Sequence, residues 1–283
     1  MEKLSFNDLQ GKTCVITGGG GVIGKSLAMG LASVGVKTAI IDIIKEAADK
    51  VADEIKSTTG SNSIGVVADV LDKKSLEQAR EVINMEFGEI HMLVNGAGGN
   101  SPRATTQVEK IEKENLNELE KTFYGLDMEG FQKVFDLNFK GTLLPTMVFT
   151  RDMLKSGKGS VINISSMNSF RPLTKIPAYS AAKSAINNFT QWLSVHFGKT
   201  GIRVNAIAPG FFLTNQNRFL LTDEKTGAPT ARGKKIINST PMEKYGEPDD
   251  LQGTLLYLMS DISSFVTGIV IPVDGGYSAY GGV

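Results

Sequence analysis

Tyr179 and Lys183 stand four residues apart in the run Y-S-A-A-K. On a helix, that spacing puts a phenol and an ammonium on one wall. A cation beside a phenol favours the phenolate, and a tyrosine with a lowered pKa can exchange a proton with a substrate oxygen near neutral pH. Moving a phenol from about 10 to about 7 takes roughly 4 kcal/mol, so one ammonium supplies only part of the shift. Ser166 lies thirteen residues before Tyr179 and follows the apolar run Val161-Ile162-Asn163-Ile164-Ser165. That run reads as a buried strand, which puts the Ser166 hydroxyl at a strand's C-terminal end, where open α/β sheets place their chemistry. Asn138, in F-D-L-N-F-K-G, lies in a helical pattern. A Tyr–Lys pair at this spacing is also common on ordinary solvated helices, so it gains meaning only from the elements around it.

Those elements alternate. Apolar runs at 12–17, 37–42, 63–68, 90–95, 159–165, 202–208 and 268–273 read as strands covered on both faces. Helical patterns fill 22–34, 45–57, 73–87, 129–154, 178–199 and 248–260. The alternation predicts βαβ units and a doubly wound, Rossmann-type parallel α/β sheet of about seven strands, with helices on both faces. No linker or internal repeat divides residues 1–283, which read as one domain. Two segments break the rhythm. Residues 99–128, with the charged run V-E-K-I-E-K-E-N-L-N-E-L-E-K, are expected to form an extra helix or a cover, and residues 209–247 form a second long connection. After the first strand comes T-G-G-G-G-V-I-G, with a helix expected from Val22. Glycines there let backbone approach a pyrophosphate, and the helix N-terminus offers free N–H groups to it.

Thirty basic and thirty acidic residues cancel, so no charge field invites nucleic acid or an anionic membrane. With 41% hydrophobic residues a sizeable core can form, yet no apolar run is long enough for a transmembrane helix. The first ten residues lack a signal peptide's apolar centre. The single cysteine, Cys14, falls in the first strand and cannot form an internal disulfide. A reducing cytoplasm is the expected compartment. The two histidines, His91 and His196, are expected in a strand and a helix and form no ligand cluster, so no metal is expected.

With those residues in place, the chain resembles the classical short-chain dehydrogenase/reductase family over almost its whole length. The matching pieces stand in the family's order: T-G-G-G-G-V-I-G, A-D-V at 68–70, L-V-N-G-A-G at 93–98, Asn138, Ser166, Y-S-A-A-K, A-P-G-F-F-L-T at 208–214 and V-D-G-G at 273–276. The resemblance implies hydride transfer between a nicotinamide cofactor and a carbonyl or secondary alcohol. Tyr179 would be the acid/base, Lys183 would favour its phenolate and hold the nicotinamide ribose, Ser166 would bind the substrate oxygen, and Asn138 would anchor a water reaching Lys183. Cofactor contacts are implied for Gly18, Gly20, Gly21, Val22, Ile23 and Gly24. Val22 stands where the family usually has a second glycine. Asp69 and Val70 would flank the adenine, and Asn95, Gly96, Ala97 and Gly98 would line the cofactor. Pro209, Gly210, Phe212 and Thr214 would hold the carboxamide and pyrophosphate. Asp42, ending the second strand, can accept from both ribose hydroxyls and would repel a 2′-phosphate, so NAD is favoured over NADP. Family members commonly form homotetramers.

The segments G-A-G-G-N-S-P-R-A-T-T, N-I-S-S-M-N-S-F-R-P-L-T-K-I-P-A-Y-S-A-A-K and A-P-G-F-F-L-T-N-Q-N-R look like those of D-mannonate oxidoreductases of the short-chain type, also called fructuronate reductases. A sugar-acid substrate suits the residues in these loops. Asn100, Asn168, Asn215 and Gln216 can pair with hydroxyls, and Arg103, Arg171, Lys175 or Arg218 can hold a carboxylate. The alternatives are a reductase of another keto-sugar acid such as 5-ketogluconate, a 3-oxoacyl-carrier reductase, and a non-catalytic nucleotide-binding regulator.

Overall fold

The computed structural model describes residues 5–214, 218–223 and 226–282. Strands and helices alternate through β1 (Thr13–Thr17), α1 (Val22–Ser33), β2 (Lys37–Asp42), α2 (Lys45–Thr59), β3 (Ser63–Val67), α3 (Lys73–Phe87) and β4 (Met92–Asn95). The chain then runs through α4 (Met128–Phe135), α5 (Gly141–Ser156), β5 (Gly159–Ile164), α6 (Pro177–His196) and β6 (Ile202–Pro209). It closes with α7 (Arg218–Leu221), α8 (Ala231–Asn238), α9 (Gln252–Met259) and β7 (Val270–Val273). All seven strands are parallel, in the order β3-β2-β1-β4-β5-β6-β7. The order reverses at β1, whose neighbours are β2 and β4, and the crevice beyond the C-terminal ends of β1 and β4 is where such sheets bind ligands.

β1 is buried at every position, so its alternating side chains feed two cores. Cys14 and Ile16 pack with Leu27, Leu31, Val51 and Leu255 of α1, α2 and α9. Val15 packs with Leu76, Ile83, Phe149 and Leu193 of α3, α5 and α6. Each fully buried leucine or isoleucine contributes roughly 2–3 kcal/mol of transfer free energy. Burial of the Cys14 thiol pushes its pKa far above the usual range, which leaves it an inert filler.

The helix expected over 129–154 is interrupted. A π-turn over Asp136–Lys140 separates α4 from α5. Two local features loosen the ladder there: the Thr142 hydroxyl donates to the Asn138 carbonyl at 2.9 Å, and Pro145 has no N–H to offer the turn before it. Residues 99–128 hold only short 3₁₀ turns, at Pro102–Ala104, Lys113–Asn117, Leu119–Lys121 and Phe123–Gly125. Ile111, Leu116 and Leu119 are exposed, so a continuous helix would have no apolar face to bury. The helix expected at 248–260 starts as a 3₁₀ turn, Pro248–Leu251, and His91 lies one residue before β4 rather than inside a strand.

Candidate active site

Strand register assembles the site. Thr17 pairs with Asn95, and Asn95 with Asn163, so the segments after β1, β4 and β5 leave the sheet side by side. The Thr17 hydroxyl accepts from the Gly96 and Ala97 amides at 3.1 and 3.3 Å, tying two of these segments together. Gly18 turns there with φ +64°, and a Cβ on it would lie 2.8 Å from the Ala97 Cα, so only glycine fits. The result is a cleft of about 630 Å³, bordered by Gly18, Gly20 to Gly24, Asp42, Gly96 to Gly98 and Thr214. Gly21 is the N-cap of α1, and a Cβ on it would meet nothing nearer than the Gly18 carbonyl at 3.4 Å. The loop backbone is therefore open to a close-lying ligand, beside the unpaired amides of the helix's first turn. Val22 opens that helix.

Asp42 holds this loop as well as facing the cleft. Its carboxylate accepts from the Gly20 amide and the Ile44 amide, each at 3.1 Å. Lys25 and Lys50 also border the cleft, and Lys25 is paired with Glu54. Neither lysine was evident from the sequence, because helical residues facing a crevice carry no local signal. Several expected cofactor residues also carry structural contacts. Asn95 is buried, with its amide donating to Thr146 and Asn163 at 2.9 and 2.8 Å, which is a sheet-bracing role. The Phe212 side chain is buried in the α1-side core. The Asp69 carboxylate accepts from the Leu71 amide at 2.8 Å, and Val70 is buried against Gly141. Pro209 ends β6, and the Gly210 amide donates to the Val273 carbonyl at 2.9 Å.

Tyr179 and Lys183 share one face of α6, which Pro177 starts at its first turn. The Lys183 Nζ lies 5.5 Å from the centroid of the Tyr179 ring and donates to the Ile164 carbonyl at 2.7 Å. Lys183 is buried, and desolvation pushes its pKa down to about 7. Tyr179 moves upward from its ordinary value, again chiefly through burial, with a hydrogen bond from Ser166 acting the other way. In the chain by itself the lysine does not lower the phenol. Burial partly discharges the lysine, and desolvation of the phenol outweighs what is left. Asn138 is fully buried in the π-turn, with its amide donating to the Gly99 carbonyl at 2.7 Å and to the Val134 carbonyl at 2.8 Å. A Cβ on Gly98 would lie 2.6 Å from the Asn138 Oδ1 and 3.3 Å from the Lys183 Nζ, so a side chain there would crowd both groups.

Of the expected substrate residues, Asn168 is buried two positions beyond Ser166, and its backbone amide donates to the Ser166 Oγ at 3.2 Å. Arg103 is taken up elsewhere, pairing with Asp127 at 2.5 Å and Glu129 at 3.1 Å, where it ties residues 99–128 to the start of α4. The Asn100 side chain donates to the Thr105 hydroxyl at 3.1 Å. Arg171 donates to the Tyr280 carbonyl, and Lys175 to the Gln107 carbonyl at 2.7 Å. Arg218 is exposed at the start of α7, and Asn215 and Gln216 lie outside the described residues. The sequence reading missed Glu109 and Lys235, which pair at 2.8 Å and join residues 99–128 to α8. Lys235, and less strongly Lys175 and Arg232, hold the Glu109 carboxyl below its ordinary range. Two segments, α8 and the loop that carries Lys175, thus bring cations to one carboxylate. Among the described residues no cluster of His, Cys, Asp and Glu could hold a metal, and no helix is long and apolar enough to cross a membrane.

The family model for short-chain dehydrogenases matches residues 12–225. An uncharacterized oxidoreductase of Bacillus subtilis is 50% identical over 277 residues, covering 98% of each chain. A 2-dehydro-3-deoxy-D-gluconate 5-dehydrogenase of Dickeya dadantii is 34% identical, covering 97% of this chain and 98% of its own. Among solved structures, a candidate D-mannonate oxidoreductase from Haemophilus influenza, crystallised with bound NAD, superposes with a TM-score of 0.92. It is 50% identical, with 98% of this chain and 99% of that one covered.

Proposed function

The chain belongs to the short-chain dehydrogenase family, and from that premise we propose that it is an NAD-dependent oxidoreductase interconverting D-fructuronate and D-mannonate. The observation that carries the reading is the meeting of Ser166, Tyr179 and Lys183 beside a glycine-lined cleft, with Lys175, four residues before Tyr179, among the cations that act on Glu109. A sugar acid needs such cations for its carboxylate, and the protein half-identical to this chain is a candidate for the same reaction.

The cleft fits NAD. Gly20 to Gly24 would lie against the pyrophosphate, with α1's first-turn amides as donors. Asp42 would accept from the adenosine ribose hydroxyls, and its charge would repel a 2′-phosphate. When bound, the nicotinamide supplies the hydride acceptor or donor. Tyr179, which burial holds in the phenol form, gives its proton to the carbonyl oxygen during reduction; oxidation starts from the phenolate, which takes the proton of the substrate hydroxyl. Ser166 donates a hydrogen bond to that oxygen as charge builds on it. Lys183 positions the phenol and would hold the nicotinamide ribose. Asn138 anchors the water that links Lys183 to solvent.

The test is NADH consumption with D-fructuronate, beside tagaturonate, 5-ketogluconate and an acetoacetyl thioester. A kcat/KM about tenfold or more higher for fructuronate is expected. Preference for a ketogluconate would favour the second reading, a reductase of another keto-sugar acid, which the Dickeya relative's activity also suggests. Preference for the thioester would overturn both.

A further inference from the structure

Asn168 lies in a 3₁₀ turn, Met167–Ser169, in which the neighbouring polar side chains are satisfied. The Ser165 hydroxyl donates to the Asn187 Oδ1 at 2.5 Å, the Ser169 hydroxyl to the Ser166 carbonyl at 2.6 Å, and the Asn187 amide to the Ser169 hydroxyl at 2.8 Å. Asn168 stands apart. It is 5% exposed, and its side-chain amide oxygen is buried without a hydrogen-bond partner among the described residues. A buried amide oxygen that gave up water for nothing is a net cost, and such groups persist where a ligand or an ordered water completes them. The residue's place narrows the choice. Its backbone amide donates to the Ser166 Oγ at 3.2 Å, so the side chain's origin is fixed relative to the hydroxyl that meets the reacting oxygen. The turn also packs against α6, which carries Tyr179 and Lys183.

We propose that Asn168 is a specificity-determining residue whose amide oxygen accepts a hydrogen bond from one of the two hydroxyls on the carbons that flank the reacting carbonyl. The inference rests on the sugar-acid reading above and deepens it: the enzyme selects α-hydroxy ketones among keto acids. A site built to pair with a substrate hydroxyl rejects the analogue that lacks it, because the protein group then stays buried and unpaired. The test compares kcat/KM for D-fructuronate and for its two deoxy analogues, each without one of the flanking hydroxyls, in the wild type, Asn168→Ala and Asn168→Asp; the analogue that the wild type rejects identifies the hydroxyl. The wild type is expected to prefer the hydroxylated acid by about thirtyfold or more. In Asn168→Ala that preference falls to within about threefold, through loss on fructuronate alone, while NADH affinity by fluorescence is unchanged. Asn168→Asp, which keeps an acceptor in the same volume, retains the preference and guards against a folding defect in the alanine variant. Equal loss on both acids in Asn168→Ala, or an unchanged ratio in an active variant, would mean that water alone satisfies the amide, and would overturn this assignment only. A wild type that reduces no sugar acid would overturn the functional reading with it.

Discussion

At the scale of single residues, burial governs the Tyr179–Lys183 pair. Both groups are pushed toward their neutral forms, Tyr179 upward and Lys183 down to about 7. Tyr179→Phe removes the proton carrier and is expected to lower kcat by about 10²–10⁴-fold with NADH affinity retained, which stopped-flow rates and fluorescence titration would check. Full activity in that variant would remove Tyr179 from the mechanism. Lys183 also has a consequence for stability. Its folded pKa is depressed below the unfolded 10.5, so the unfolded chain binds more protons between pH 7 and 10.5, and folding is penalised at the lower end. The penalty is on the order of 5 kcal/mol below pH 7 and disappears as pH rises through 10.5. Lys183→Met should therefore be more stable than the wild type in urea at about pH 6.5, with the gap narrowing toward about pH 10. A gap that stayed constant or widened with pH would contradict this reading.

The element that matters most is the turn from β1 into α1. A Cβ on Gly24 would run into the Gly18 carbonyl and lie 2.8 Å from the Gly19 Cα, both main-chain atoms that cannot swing away. Gly24→Ala should shift α1 relative to the loop, raise the NADH Kd by about tenfold or more, and lower stability by roughly 1–3 kcal/mol. Calorimetric titration and thermal melts separate the two effects. An unchanged Kd would show that the loop's close packing does not position the cofactor. This element was legible in the sequence as T-G-G-G-G-V-I-G before a helical pattern, because glycine spacing is a local signal. The π-turn that presents Asn138 was not legible. It depends on a threonine hydroxyl, a proline three residues beyond it, and an amide clamped to Gly99 from another part of the chain.

At the scale of the whole molecule, contacts between distant segments gather charge and apolar surface that no single element holds. Lys235 in α8 pairs with Glu109, with Lys175 and Arg232 close enough to act on the same carboxylate. Lys235→Met should raise KM for a sugar acid by about three- to tenfold at low salt with kcat nearly unchanged, and about 0.5 M NaCl should shrink the difference. A salt-independent effect would point to packing instead of charge. On the face of α5 and α6, Met147, Leu154, Trp192 and Val195 are all exposed, beside the stacked rings of Phe189, Trp192 and His196. Covering that face fits the homotetramer proposed from the resemblance. Sedimentation equilibrium should give four chains, and Val195→Glu should break the assembly; a wild-type monomer would refute it.

What the sequence determined by itself is what short-range pattern can hold. Its strand and helix alternation, the glycine turn and the Ser166–Tyr179–Lys183 spacing were all legible, because each is set by a few consecutive residues and the period of the element they form. Tertiary structure decided the remainder. It committed Arg103 to Asp127 and Glu129, buried Asn95 as a brace and Phe212 as core, and brought Lys235 to Glu109 across 126 residues of sequence. It also set burial against the lysine at Tyr179. Charge and burial at a site sum over every segment packed there, and no local pattern carries that sum.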